Sequence, residues 1–437
     1  MANSDDICRL TLAAASAAVR SGALSPVELT RACLDRIARL DREYNSFIAV
    51  YEREALAQAN ALTREIHAGR WQGPLHGIPV ALKDLIDVAG CVTTAGSAVF
   101  ADHVASADAE VVRRLKAGGA VILGKTNLHE FAYGGSGMIS HFGVVRNPVN
   151  PQHITGGSSS GSAAAVAAGF CFAALGTDTA GSIRLPAAYC GVVGLKPTFG
   201  RVSVEGVVPL AWSYDHVGPI ARTVEDAEIV LRALSETELR EVDASTLRFG
   251  IARNYFFDEC EPEITDAIDR VAAKLKAVEV EAPAHEDRTV SNAEAFAYHE
   301  QFVRQCPERY NKETLRRIRS GENISAAAYI QHRRELDQIR QTATDLFRDV
   351  DVILTPAVPV SPASISDLQA NPDRLRPREL LMLRNTRPFN VLGIPAISVP
   401  CGQTAKGFPI GIQLAAAAGR EDIVLAAGKL IEKLTTA

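Results

Sequence analysis

Three short segments bring together residue types that do chemistry in concert. Thr155-Gly156-Gly157-Ser158-Ser159-Ser160-Gly161-Ser162 packs serines between glycines. Gly176-Thr177-Asp178-Thr179-Ala180-Gly181-Ser182-Ile183-Arg184-Leu185-Pro186 follows with a further serine in a small-residue turn. Upstream, Gly77-Ile78-Pro79-Val80-Ala81-Leu82-Lys83-Asp84 ends an apolar run on a lysine. Glycine lets backbone N–H groups come close to a ligand. Serine supplies a nucleophile or relays a proton. A free lysine, with a pKa of about 10.4, is almost wholly charged at neutral pH, but burial in an apolar strand disfavours the charged form and makes a base of it. Together the segments point to a serine hydrolase with a lysine base.

Each residue also has a plainer reading. Ser158, Ser159 and Ser160 precede Ala163-Ala164-Ala165-Val166-Ala167-Ala168, a strong helix former. They therefore stand at a helix N-terminus, where free N–H groups favour negative charge. Capping accounts for one serine and leaves the others idle. Ser182 alone would be a turn serine, although the turn Thr179, Ala180, Gly181, Ser182 is able to aim several N–H groups at one point as an oxyanion hole. Lys83 alone would be a surface lysine with its stem on apolar surface.

Two other patterns compete. Gly119-Ala120-Val121-Ile122-Leu123-Gly124-Lys125-Thr126 fits the P-loop formula, but its middle residues belong in a strand rather than an open phosphate-cradling turn. Gly157-Ser158-Ser159-Ser160-Gly161 fits the nucleophile elbow of α/β-hydrolases, with Ser159 as nucleophile. The elbow needs a strand directly before it, and Pro148 and Pro151 disfavour one there. It also needs a later acid and then a histidine, and the last histidine is His332 in a charged helical stretch.

The elements that must hold these residues follow from periodicity. The first 70 or so residues are spaced as helices, with a capping box at Ser25-Pro26-Val27-Glu28. From Ile78 onward short apolar runs alternate with amphipathic segments. Strands are expected at Ile78–Ile86, Ala120–Leu123, Phe172–Gly176, Leu247–Ala252, Asp351–Leu354, Ala396–Val399 and Ile410–Leu414, and a helix at Asp108–Lys116. This predicts an α/β fold: a large central mixed, largely parallel sheet covered by helices on both faces. We expect one domain over 1–437. It comprises a helical N-terminal segment (1–70), a catalytic core (71–235), a helical cover (260–348) and a C-terminal return to the sheet (349–437). Ser361–Arg378, rich in Pro, Asp, Asn and Arg, is expected to be a long surface loop.

Length alone would suggest about three domains, but no Ser/Gly- or Pro-rich linker divides the 437 residues. Hydrophobic residues make up 47%, enough for a large core. The net charge of −5 and the absence of a long basic run argue against nucleic acid as the main ligand. Met1-Ala2-Asn3-Ser4-Asp5-Asp6 lacks a signal pattern, and no apolar run approaches the about 20 residues that span a membrane. The eight cysteines are scattered. They are expected to be buried and reduced, in a cytoplasmic protein without a disulfide frame or zinc site. His129, His141 and His216 lack ligand-like partners and are expected to be structural. We expect no metal and no cofactor.

On these motifs the chain resembles the amidase signature family. The similarity runs from about Ser25 to Leu234 and resumes at Asp351–Leu414. It includes Gly-Leu-Lys-Pro-Thr from Gly194 and Pro-Phe-Asn-Val-Leu-Gly-Ile-Pro-Ala from Pro388. Two departures are visible: Ser160 stands where glycine is usual, and Ala180 replaces the first glycine of Gly-Gly-Ser. The resemblance implies the amidase signature fold and a Ser–cis-Ser–Lys triad: Ser182 as nucleophile, Ser158 as relay after a cis peptide, and Lys83 as base. It implies an acyl-enzyme route and an acyl pocket walled by Ala132, Tyr133, Gly135 and Ser136. Asp178 and Arg184 are expected to pair and fix the nucleophile turn. Of the arginines at 374, 376, 378, 384 and 387, most are expected to be solvated. Arg387 is the exception, because it directly precedes the motif at Pro388 and would favour a substrate bearing a carboxylate or other polar acceptor.

The leading expectation is a stand-alone amidase of small carboxamides, with carbamates or ureido-type amides included, a homodimer being one assembly considered. The alternative is the glutamine-hydrolysing component of a tRNA-dependent amidotransferase. Tyr298-His299 and the segment from Glu322 to Tyr329 look more like the stand-alone enzymes. An esterase using Ser159 and a catalytically silent scaffold are the remaining readings, the latter opposed by the intact Lys83, Ser158 and Ser182.

Overall fold

The structure, a computed structural model, describes residues 4–236 and 238–435. Met1-Ala2-Asn3, part of the stretch read against a leader, lies outside the described residues. The frame is one 11-stranded sheet. In chain order its strands are β1 (Phe47–Val50), β2 (Pro79–Lys83), β3 (Val121–Thr126), β4 (Ala173–Thr177), β5 (Val193–Lys196), β6 (Val217–Ala221), β7 (Phe249–Ala252), β8 (Val278–Val280), β9 (Val352–Pro356), β10 (Ala396–Gln403) and β11 (Pro409–Ala415). Across the sheet they stand in the order β1-β3-β2-β4-β6-β5-β10-β11-β9-β7-β8.

The sheet is mixed, as expected. Parallel pairing joins β3, β2 and β4 on one side and β9, β7 and β8 on the other. Between them β6, β5, β10 and β11 pair antiparallel. Every residue of β2, β3 and β4 is buried, which is why these runs read as continuously apolar rather than alternating. Each of the seven expected strands is present, with ends shifted by a few residues. Four more strands lack a clear sequence signal. β6 contains Gly218 and Pro219, residues that argue against a central strand. β1, β5 and β8 are only three or four residues long.

The N-terminal segment is helical at Ser4–Arg9, Leu12–Ser21, Pro26–Tyr44 and Glu52–His67, with β1 inserted before the last. Ser25 caps as expected: its Oγ accepts the Glu28 N–H at 3.2 Å, and Glu28 Oε2 accepts the Ser25 N–H at 2.8 Å. The region after Glu261 is largely helical, at Pro262–Leu275, Thr289–Gln305, Lys312–Arg319 and Ala326–Thr342, with β8 between the first two. The expected surface loop Ser361–Arg378 is instead mostly structured. It forms a helix at Ile365–Ala370 and a 3-10 turn at Pro372–Arg374, and enters a further helix at Leu375–Leu383. Ile365, Leu368, Met382 and Leu383 bury against Ile154, Leu185 and Tyr189, so tertiary packing overrides the turn-like composition. Among the described residues no helix is long and apolar enough to cross a membrane.

Candidate active site

Lys83 is the last residue of β2, and Thr177 is the last residue of the parallel neighbour β4. The two strand ends therefore present their side chains at one edge of the sheet. Lys83 Nζ lies 2.7 Å from Ser158 Oγ and 2.7 Å from Thr177 Oγ1. Lys83 and Ser158 are both fully buried. Burial pushes the Lys83 ammonium down to about 7, against the opposing pull of Asp178 and Asp215. A neutral amine has two N–H donors and one lone pair. In that state Lys83 is able to donate to Thr177 and accept the Ser158 hydroxyl proton without moving.

Ser158 follows a cis Gly157–Ser158 peptide and precedes the helix Ser160–Ala167. Its carbonyl accepts the His129 N–H at 3.1 Å. The next N–H, that of Ser159, donates to the Ser182 carbonyl at 3.2 Å, which brings the Ser158 segment against Ser182. Ser159 itself is not available as a nucleophile. Its Oγ donates to the Thr177 carbonyl at 3.1 Å and accepts the Thr177 N–H at 3.2 Å, so the hydroxyl closes the end of β4. This removes the elbow reading. Ser160 starts the helix, with its Oγ 3.4 Å from the Ser158 carbonyl.

The Ser182 turn is built around Asp178. Arg184 reaches its carboxylate through Nε at 3.0 Å and Nη2 at 2.9 Å, and both side chains are fully buried. Burial alone would raise the Asp178 carboxyl. The Arg184 guanidinium, with Lys196 and Asn390, holds it well below the usual carboxylate range. Arg184 is completed by Gln413 Oε1 at 2.6 Å, Asn390 Oδ1 at 2.6 Å and the Thr386 carbonyl at 2.9 Å. Asp178 also takes the Gly181 N–H at 2.8 Å and the Ile183 N–H at 3.1 Å. The expected four-residue oxyanion turn is thus corrected. The Gly181 N–H already serves the carboxylate, and Thr179, Ala180 and Ser182 retain N–H groups that no protein acceptor takes among the described residues. Ala180 is not among the residues with positive φ, so the turn does not require glycine there. Gly181 does require it: φ is +132°, and a Cβ would lie 1.9 Å from Thr386 Oγ1.

Ser182 opens onto a narrow cleft of about 50 Å³, walled by Ala132, Tyr133, Thr179, Ala180, Arg376 and Arg387 among others. Ala132 of this wall and Phe131 just before it have φ of +57° and +50°, sparsely populated for non-glycine residues. Phe131 is anchored edge-on to His299 at 4.4 Å. Tyr133 is held by its hydroxyl on Asn292 Oδ1 at 2.8 Å and by Arg317 Nη1 on its carbonyl at 2.6 Å. Gly135 and Ser136 do not line the cleft with them. Ser136 Oγ is buried and donates to Glu379 Oε1 at 2.7 Å, and Gly135 packs against Leu383. These two residues brace the wall from behind. Of the five arginines, Arg374 is exposed, Arg378 donates to the Ser361 carbonyl at 2.6 Å, and Arg384 reaches Glu259 at 3.0 Å. Arg387 lines the cleft as expected, and Arg376 joins it instead of being solvated.

The competing motif is spent on structure: Lys125 of the P-loop match is buried in β3 and pairs with Asp84 at 2.9 Å. His129 is pushed well down by burial and by Arg317. His216 contacts the carbonyls of Asp178 and Tyr214 at 3.0 and 2.6 Å. Among the described residues no group of three or more His, Cys, Asp or Glu is placed to hold a metal ion, and the eight cysteines are free. Sequence reasoning missed Thr177, Asp215, Arg288 and Glu379. Thr177 was discoverable as the residue closing the strand beside that of Lys83. Asp215 accepts the Thr179 hydroxyl at 2.5 Å, and burial raises its carboxyl to about 6. It, Arg288 and Glu379 reach the site from distant segments without any motif.

The amidase family model matches residues 28–425. An amidase of Pseudomonas putida is 38% identical over 98% of this chain and 97% of its own. The A-type component of the glutamyl-tRNA(Gln) amidotransferase of Geobacter metallireducens is 37% identical over 94% of both. Among solved structures, an inhibitor-bound chain from a complex concerned with the origins of an s-triazine catabolic enzyme superposes with a TM-score of 0.89. It is 33% identical over 97% of this chain and 98% of its own. The mixed sheet, the buried Lys83–Ser158 contact and these likenesses converge: the chain belongs to the amidase family, as a hydrolase of carbon–nitrogen bonds.

Proposed function

We propose that the protein hydrolyses the C–N bond of a small carboxamide, with carbamates and ureido-type amides as further candidates, using Ser182, Ser158 and Lys83. The observation that carries this reading is a buried lysine, poised near neutrality, 2.7 Å from a serine whose segment abuts Ser182. Lys83 draws the proton of Ser158, which draws that of Ser182. Ser182 Oγ then forms a bond to the amide carbon while the carbonyl π pair moves to oxygen. The N–H groups of Thr179, Ala180 and Ser182 would hold that oxyanion. When the intermediate collapses, the relay returns its proton to the leaving nitrogen, and the C–N bond breaks to leave an acyl-Ser182 ester. Water deprotonated by the same relay attacks this ester and frees the acid.

The single unit over 1–437 is part of the proposal, supported by a sheet that takes strands from Phe47 to Ala415. A stand-alone amidase is preferred over an amidotransferase component on Tyr298-His299 and the segment from Glu322 to Tyr329, together with the 38% identity to an amidase. Purified protein should hydrolyse aliphatic or aryl amides without any added partner. A protein inert to all amides, carbamates and glutamine, yet active with glutamine once a partner protein is supplied, would favour the amidotransferase reading.

A further inference from the structure

We propose that the cleft beside Ser182 selects amides that carry a carboxylate, bound by Arg288, Arg376 and Arg387. This rests on the hydrolase reading above, since it names the substrates of the same cleft. The three arginines come from separate elements: the residue before Thr289–Gln305, the helix Leu375–Leu383 and the first residue of Arg387–Val391. They converge on the wall that contains Ser182, Thr179 and Ala180.

None of the three has a close carboxylate partner of its own. Among the described residues no carboxylate stands at ion-pair distance from Arg288 or Arg387. Arg376 has only Glu379, at 3.6 Å, and that carboxylate is closer to Arg317, at 2.8 Å. Arg387 is 6% exposed, its Nη2 is taken by the Asp287 backbone carbonyl, and its Nε is buried without a partner. Burial, reinforced by the neighbouring Arg387, lowers Arg288 to about 10, and burial together with Arg317 lowers Arg376 to about 10. Both still carry their charge at neutral pH. Arg184 shows what a structural arginine looks like in this molecule: fully buried, with Asp178, Gln413 and Asn390 around it. Arg387 Nε lacks such an acceptor, and leaving a buried donor unmet is costly. A ligand carboxylate supplies the missing acceptor in the geometry a guanidinium prefers.

The test pairs each anionic amide with a neutral isostere on the unaltered protein. Glutaramate against valeramide places the carboxylate on the acyl half, and N-butyrylglycine against N-propylbutyramide places it on the leaving amine. One anion should exceed its isostere in kcat/KM by about tenfold to a hundredfold, the scale of hydrogen bonds to a charged group. The ratio should fall toward one in Arg288→Met, a half-buried position, and in Arg376→Met. In parallel, titration calorimetry of Ser182→Ala should show glutarate binding more tightly than glutaramide, and the difference should vanish in the Arg288→Met/Arg376→Met background. Neutral amides equal to or better than both anions, or a preference that survives the arginine substitutions, would overturn the proposal. The binding arm needs no turnover. Failure of hydrolysis with glutarate binding intact would therefore count against the reaction, not against the arginine site.

Discussion

Lys83 contacts two hydroxyls, and burial lowers its ammonium to about 7, which sets the pH behaviour expected of the site. The base form grows as pH rises through about 7, so kcat/KM should climb tenfold per pH unit below that value and level off above it. Lys83→Met should cost about 10²- to 10⁴-fold in rate, the usual weight of a general base, and should abolish the pH rise. A pH-rate profile of the two proteins checks both expectations. Ser159→Ala should behave differently. It leaves the Thr177 N–H without its acceptor and should lower stability by about 1–3 kcal/mol, while Ser182 remains able to react. Thermal melts together with acyl-enzyme mass measurement separate the two effects.

At the scale of elements, the turn from Asp178 to Arg184 has one carboxylate gathering two N–H groups and a guanidinium. Asp178→Asn leaves the Arg184 charge buried and unpaired, which should destabilise the fold by about 3–5 kcal/mol, read by denaturant unfolding. Gly181→Ala should damage activity because its Cβ collides with Thr386, whose Oγ1 pins the Ala180 carbonyl at 2.7 Å. These local devices are legible in the sequence, because each proposed triad side chain and its turn lie in short contiguous motifs. So are the apolar strands β2, β3 and β4, whose runs are buried on both faces. β6 is not, because Pro219 sits in a central strand, and neither are the helices over 365–383, whose burial depends on partners near Ile154 and Tyr189. Arg288 and Arg376 escape for the same reason: only the folded chain brings them to Ser182.

For the whole molecule, the buried lysine is a stability cost that the proposed chemistry requires. Its folded pKa, about 7, lies below its ordinary value of 10.5. Below pH 7 the penalty for burying the charge is fully present. Between the two values the unfolded chain binds more protons, so stability rises with pH. Lys83→Met should therefore raise the melting temperature below pH 7, and the gain should shrink as pH approaches 10. Calorimetric melts across that range decide the sign; a Lys83→Met protein less stable than the parent at pH 6 would contradict it. Such a trade between stability and function is common where an active group is held in an unfavourable setting.

The central claim is that Ser182 is the nucleophile driven by Lys83. It is tested most directly by peptide mapping of the protein after reaction with a fluorophosphonate. A single adduct on Ser182, forming faster as pH rises through about 7 and absent in Lys83→Met, is the predicted result. An adduct on Ser159, or labelling of Ser182 that ignores both pH and Lys83, would contradict the account.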